Sequence, residues 1–266
     1  MNQIWTISFG AADLIRGWKR SRLWFTLARD EIRLRYQRSV LGPLWITLGT
    51  GFFIAVVSVI WTEIMGKEAR VFVPWFAIGL TMWQLFLAII SEGPMTFSRV
   101  SGIIHNIPMP FSVHVYCVVM RNVINYFHNF VIVILVLILF PPQLTGSMVL
   151  FIPGFLIIVV AAVAVSIILG ILGARFRDFS YTVSMVMGPM FFLTPILWMP
   201  DMLTGSRLQL SKLNPFTHFL AIIREPLLGR EPALLNYAIT IGISVMLMFI
   251  SLHMLGRHRA KVPYWI

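Results

Sequence analysis

Met148–Ala174 reads MVLFIPGFLIIVVAAVAVSIILGILGA, 27 residues without one charged side chain. As a helix it extends about 40 Å at 1.5 Å per residue, enough to cross a hydrocarbon core of about 30 Å. Comparable apolar runs occupy roughly 41–64, 71–91, 111–140, 180–199 and 233–255. The 266 residues are 58% hydrophobic and 12% charged, with mean hydropathy +0.85. In hydrocarbon each helix must satisfy its own backbone polar groups, so such runs predict a lipid-embedded bundle. The expected fold is an all-α integral membrane protein of one domain, 1–266, with six transmembrane helices.

The net charge of +11 is unevenly distributed. Under this topology fifteen Lys and Arg fall on one side: eight between Arg16 and Arg38, then Arg99, Arg121, Arg175, Arg177, Arg257, Arg259 and Lys261. Six fall on the other: Lys67, Arg70, Arg207, Lys212, Arg224 and Arg230. By the positive-inside rule both termini are expected in the cytoplasm. The basic excess therefore reads as topology, and no nucleic-acid partner is expected. The first forty residues, with no apolar core followed by small residues, show no cleavable signal pattern.

Three segments are neither plain spans nor plain loops. In 14–38, Trp18, Trp24, Phe25, Leu27, Ala28, Ile32 and Tyr36 interleave with basic residues at helical spacing. That suits an amphipathic helix lying in the membrane interface, within a cytoplasmic N-terminus 1–40. The long third span carries Arg121, Asn125, His128 and Asn129 on one helical face. Polar groups at that depth face protein or water. They make interhelical hydrogen bonds or line the path of a transported molecule. The segment 200–232 has Pro200, Gly205, Pro215, Pro226, Gly229 and Pro232 as breakers between short apolar pieces. Short re-entrant periplasmic helices fit that pattern.

Several chemistries lack their residues. Gly66-Lys67 is followed by Glu68 without the upstream glycine of a nucleotide-binding loop. The six histidines form no metal-ligand motif, the ten acids no paired motif, and the single Cys117 excludes a disulfide framework. No catalytic residue, metal or cofactor is expected on the chain. Glu92 stands alone after the second span, and Asp30-Glu31 is expected to pair with neighbouring arginines. Gly170 and Gly173 fit small-residue helix packing.

Four motifs together resemble the permease subunit of bacterial type-2 ABC exporters of cell-surface polysaccharide. They are Arg33, Arg35, Tyr36 and Ser39 running into Leu41-Gly42-Pro43-Leu44-Trp45; Pro108 to Asn129; Arg175-Phe176-Arg177-Asp178; and Asn214-Pro215 followed by Arg224-Glu225. The second motif and the tail Lys261-Val262-Pro263-Tyr264-Trp265 look like the O-antigen branch. His105 departs from the lysine common in relatives. The resemblance implies a homodimer around one channel in a bacterial inner membrane, and a separate ABC ATPase dimer that holds ATP and Mg. Residues 96–108 would be the coupling helix. The short insert bracketed by Gly93-Pro94 and Pro108-x-Pro110 agrees with that. ATPase-coupling candidates are Arg99, His105, Asn106, Arg175, Arg177 and Asp178. The implied cargo is a polyprenyl-diphosphate-linked polysaccharide, with Arg33, Arg35 and Arg38 available to the diphosphate. Membrane lipids are the alternative partner of those arginines. Channel-lining candidates are Trp45, Phe52, Trp61, Trp75, Trp83, Phe86, Asn125 and His128, although aromatic belts arise in any membrane protein. Asn214, Pro215, Arg224 and Glu225 belong to the expected periplasmic gate, 200–232, and 256–266 is the expected cytoplasmic tail. Two rivals stay open. One is a permease of this architecture for capsule, teichoic acid or a small drug. The other is a membrane transferase acting on lipid-linked sugar.

Overall fold

The computed structural model describes residues 3–42 and 44–266; Pro43 of the first motif lies outside them. Twelve α-helices and no strands occur among the described residues. They are α1 (Gln3–Trp18), α2 (Ser21–Arg35), α3 (Leu44–Met65), α4 (Ala69–Glu92), α5 (Ser101–Asn106), α6 (Phe111–Leu139), α7 (Phe151–Arg175), α8 (Phe179–Leu193), α9 (Gly205–Leu213), α10 (Pro215–Leu227), α11 (Leu234–His258) and α12 (Val262–Trp265).

Five helices are long and apolar enough to cross a membrane: α3, α4, α6, α7 and α11. The fifth expected span, 180–199, interrupted by Pro189 and Pro195, is realised as the 15-residue α8. At about 22 Å that helix falls short of a hydrocarbon core. Pro189 lies within it, and Thr194-Pro195 ends it in extended backbone. Proline cannot donate to the helical ladder, so the apolar run outlasts the helix.

Helix α4 is the centre of the bundle. Of its apolar stretch 78% is buried, against 22% for α3 and for α11, which lie at the rim. Lipid is as apolar as leucine, so the helices gain by close approach rather than by leaving water. Small residues mark those approaches. A Cβ on Gly10 of α1 would strike the Leu252 carbonyl of α11, and one on Gly256 would strike the Thr6 carbonyl. Gly256→Val is therefore expected to separate α1 from α11 and cost about 2 kcal/mol, read as a lower melting temperature in lipid. An unchanged melting temperature would show that the contact carries no stability.

The predicted interface helix over 14–38 is two helices. Residues 14–18 finish α1, and α2 follows a turn at Lys19-Arg20. The inward face of α2 is Trp24, Ala28 and Ile32, at helical spacing. Trp24 and Ala28 pack with Val113 and Cys117 of α6, and Trp18, Trp24 and Tyr116 gather with ring centroids 5.7–5.8 Å apart. The first motif forms the corner from α2 into α3. Arg38 and Gly42 both have left-handed backbone, φ 64° and 53°, and the Gly42 amide donates to Ser39 Oγ at 3.1 Å. A left-handed arginine costs about 1 kcal/mol, so the corner is held by its surroundings.

Helix α1 also caps another helix. Asp13 is buried, and its carboxylate accepts the Ser112 and Phe111 amides at 3.0 and 3.3 Å. Those amides open α6 and have no partner within their own helix.

Candidate functional site

Both termini and the α5 segment gather at one end of the bundle. Thr6 meets His253 at 3.2 Å, and a ring nitrogen of His105 lies 2.9 Å from the Pro263 carbonyl. At this terminal end the chain leaves α4 through Gly93-Pro94, makes a 3-10 turn over Ser98–Val100 and forms α5. The expected coupling segment 96–108 thus contains the short exposed helix α5, while Thr96 and Phe97 at its start are buried. Asn106 and His105 brace it internally, the Asn106 amide donating to the Gly102 carbonyl at 2.7 Å. Arg99, Arg175, Arg177 and Asp178 are all exposed around it. Gly173 of α7 lets the Pro94 carbonyl approach where any Cβ would collide, and Gly170 faces the Phe97 ring. The two glycines therefore seat this segment on α7.

At the root of the segment lies an ion cluster that the sequence did not reveal. The Arg121 guanidinium, with its side chain 6% exposed, donates to Glu92 at 2.5 Å and pairs with Glu31. Asn122 adds a bond to the same Glu92 oxygen at 3.0 Å, and Arg35 stands 3.9 Å from the other. Glu31 belongs to α2, Glu92 ends α4, and Arg121 belongs to α6. One guanidinium therefore joins α2, the end of α4 that leads into α5, and α6. A planar fork with donors on both sides can serve two carboxylates at once. Glu31 was expected to pair with arginines beside it in sequence. Its partner is ninety residues away, because α2 lies against α6. Glu31, Arg35, Glu92 and Arg121 line a groove of about 480 Å³ between α2 and the segment leading into α5. Of the three arginines assigned to a diphosphate, Arg35 lies on this groove, whereas Arg33 and Arg38 are exposed elsewhere.

The rest of the α6 polar stripe divides. Asn129 donates to Gln84 Oε1 of α4 at 2.8 Å, and Gln84 in turn meets Thr50 of α3 at 3.2 Å. This residue makes the expected interhelical bond, with Gln84 and Thr50 as partners the sequence reading had not singled out. His128 turns a ring nitrogen onto its own helix at the Ile124 carbonyl, 2.8 Å away, and Asn125 is half-buried.

The aromatic candidates also separate. Trp45 and Phe52, seven residues apart on α3, are 59% and 73% exposed. Trp61 is half-buried. Trp83 and Phe86 pack inward on Phe216 of α10, centroids 5.5 and 5.7 Å away. Trp75 donates to the Trp198 carbonyl at 3.3 Å.

At the opposite end, the expected gate segment forms α9 and α10. Asn214 caps α10: its side-chain oxygen accepts the Phe216 amide at 3.0 Å, its side-chain nitrogen donates to Thr194 Oγ1 at 2.9 Å, and Pro215 occupies the first helical position. Arg224 is 1% exposed. It donates to the Pro195 carbonyl at 2.7 Å, and its charge sits 3.8 Å over the Trp75 ring. Such stacking contributes about 2 kcal/mol when desolvated. Its Nε and second terminal nitrogen have no acceptor among the described residues. Arg224 thereby ties α10 to the end of α8 and to α4. Glu225 and Arg230 stand 3.9 Å apart. They line a groove of about 680 Å³ at this end with Lys67, Arg70, Trp75 and Asp201. Lys67 and Asp201 close to 2.6 Å across it. No group of three metal-ligating side chains occurs among the described residues.

A family model described as ABC-2 type transporter matches residues 22–228. The chain is 26% identical over 233 residues to the O-antigen export system permease protein RfbA of Myxococcus xanthus, covering 85% of this chain and 88% of that one. Two proteins of Klebsiella pneumoniae with the same name are each 26% identical. They cover 76% and 81% of this chain and 79% and 82% of their own lengths.

Proposed function

The chain belongs to the ABC-2 type transporter family, and from that premise we propose that it is the membrane-spanning subunit of an ATP-driven exporter of O-antigen-type polysaccharide carried on polyprenyl diphosphate. The relatives' names supply the substrate class. The observation that carries the mechanism is the Arg121 cluster at the root of the exposed α5 segment.

In this reading ATP and Mg reside on a separate ABC ATPase dimer, and α5 is seated in it. ATP binding closes that dimer and pushes α5. The push reaches α4 through the short turns after Glu92. It reaches α2 and α6 through Arg121. Two copies of the chain form one channel in the bacterial inner membrane, with both termini cytoplasmic. The open aromatics Trp45 and Phe52 of α3 offer broad, weakly directional contact to passing sugars. The inward-packed Trp75, Trp83 and Phe86 shape the wall behind them. Helix α8 and the irregular chain after Thr194 complete the fifth crossing. Helices α9 and α10 form the periplasmic gate, pinned by Asn214 and Arg224. Arg35 meets the lipid diphosphate at the groove beside Glu92, with Arg33 and Arg38 toward headgroups.

The test is ATP hydrolysis by an ABC ATPase subunit encoded in the same genome, purified with and without this chain in lipid. A stable complex with an altered hydrolysis rate, lost when residues 101–106 are replaced by a Gly-Ser run, is the expected result. Absence of any complex would return attention to a stand-alone transferase on lipid-linked sugar. Co-purified glycan separates O-antigen from capsule, teichoic acid or a small drug.

A further inference from the structure

The last helix, α12, has no role in the mechanism above, yet it is fixed against the coupling segment. Val262 is fully buried. Trp265 turns inward, its ring 5.5 Å from the Arg175 charge and 5.5 Å from the His258 ring. Between them the Pro263 carbonyl faces His105 of α5 at 2.9 Å. The inward anchors leave Tyr264 on the outside, 88% exposed. Phe176 is also 53% exposed beside Arg175, which lies 5.3 Å from its ring. One continuous face is thus built from three segments far apart in sequence: α5, the turn after α7, and α12.

The charge of this face is one-sided. Segments 96–108, 175–178 and 256–266 hold Arg99, Arg175, Arg177, Arg257, Arg259 and Lys261, and a single acid, Asp178. Arg259 is turned back over Phe9 at 4.6 Å, but Arg99, Arg177 and Lys261 remain exposed. A surface of exposed tyrosine ringed by cations suits a partner cleft with an acidic rim. Anionic lipid also attracts cations. The exposed phenol, however, stands next to the Pro263–His105 contact with α5, so a protein seated on α5 would cover it as well.

Resting on the reading of α5 as the coupling helix, we infer that α12 is a third segment of the ATPase-docking surface, with Tyr264 entering an acid-rimmed cleft of the ATPase subunit. Tyr264 supplies contact area at low entropic cost, and Lys261 supplies charge.

The experiment is a titration of the purified ATPase subunit onto the full chain held in lipid nanodiscs. Tyr264→Glu puts a negative charge in the cleft and should raise Kd at least tenfold, whereas Tyr264→Phe stays within twofold of the parent. Melting temperature should not move in either, because the side chain touches little of its own protein. Replacement of residues 101–106 is the parallel control. If that replacement abolishes binding while Tyr264→Glu leaves Kd within twofold, the tail is outside the docking surface and the inference is overturned alone. If the unaltered chain binds no ATPase, the coupling reading falls and takes the inference with it. If Tyr264→Glu changes only the response to the phosphatidylglycerol content of the nanodisc, the tail contacts headgroups and the inference is likewise overturned.

Discussion

Arg121→Leu should destabilise the protein by about 3 kcal/mol and abolish its effect on the ATPase. Removing one partner of a buried ion pair leaves the other charges uncompensated, which costs about 3–5 kcal/mol. The lower figure applies because Glu31 is 40% exposed while Glu92 is only 18% exposed. Glu31→Gln should therefore cost under about 1 kcal/mol, since half-exposed pairs are screened. Arg121→Lys should recover some stability but not coupling, because one ammonium cannot serve both carboxylates in the geometry of the guanidinium fork. Thermal unfolding in lipid and ATPase stimulation, measured on the same preparations, separate the two effects. Undiminished stimulation of the ATPase subunit by the leucine variant would show that the cluster only braces the bundle.

Arg224 calls for a pair of variants. Arg224→Ala removes one of the largest fully buried side chains, the bond to Pro195 and the charge over Trp75. A loss of about 3 kcal/mol is expected from the cavity and the unpaired carbonyl. Arg224→Met refills the space with an uncharged chain, and two of the nitrogens it removes lacked acceptors in any case. Its stability should return to within about 1 kcal/mol of the parent, as when apolar residues replace buried ions. What the methionine cannot restore is the tie between α10 and the end of α8. Proteoliposomes bearing the complex with Arg224→Met should release a trapped small dye faster than the parent at equal melting temperature. Equal release rates would confine Arg224 to a packing role.

These two arginines also show what was legible in the sequence. The long apolar runs identified the five helices long and apolar enough to cross a membrane, because a helix satisfies all its backbone groups within one segment. Asn214-Pro215 was legible as a helix start for a local reason, a cap and a first-turn proline side by side. The Arg121 cluster was not. Glu31, Glu92 and Arg121 sit in separate helices, and their meeting depends on how α2 lies across α6. Asp13 was invisible for the same reason: a cap normally lies just before its own helix, whereas this one caps a helix 98 residues away. The early end of α8 was legible in Pro189 and Pro195, whereas its exact length was not, because apolar composition continues through Pro195.

The meeting of α1 with α11 has a consequence for how the chain is made. Thr6 and His253 are 247 positions apart, so α1 is made well before α11 and finds its seat only when α11 has been threaded. Contacts of such separation form late. Until then the Gly10 face of α1 has no neighbour, while Asp13 can already engage α6. A chain cut short before α11 would hold every earlier span yet present an unseated N-terminal helix. Insertion of α11 is thus registered 247 positions upstream, in whether α1 is seated.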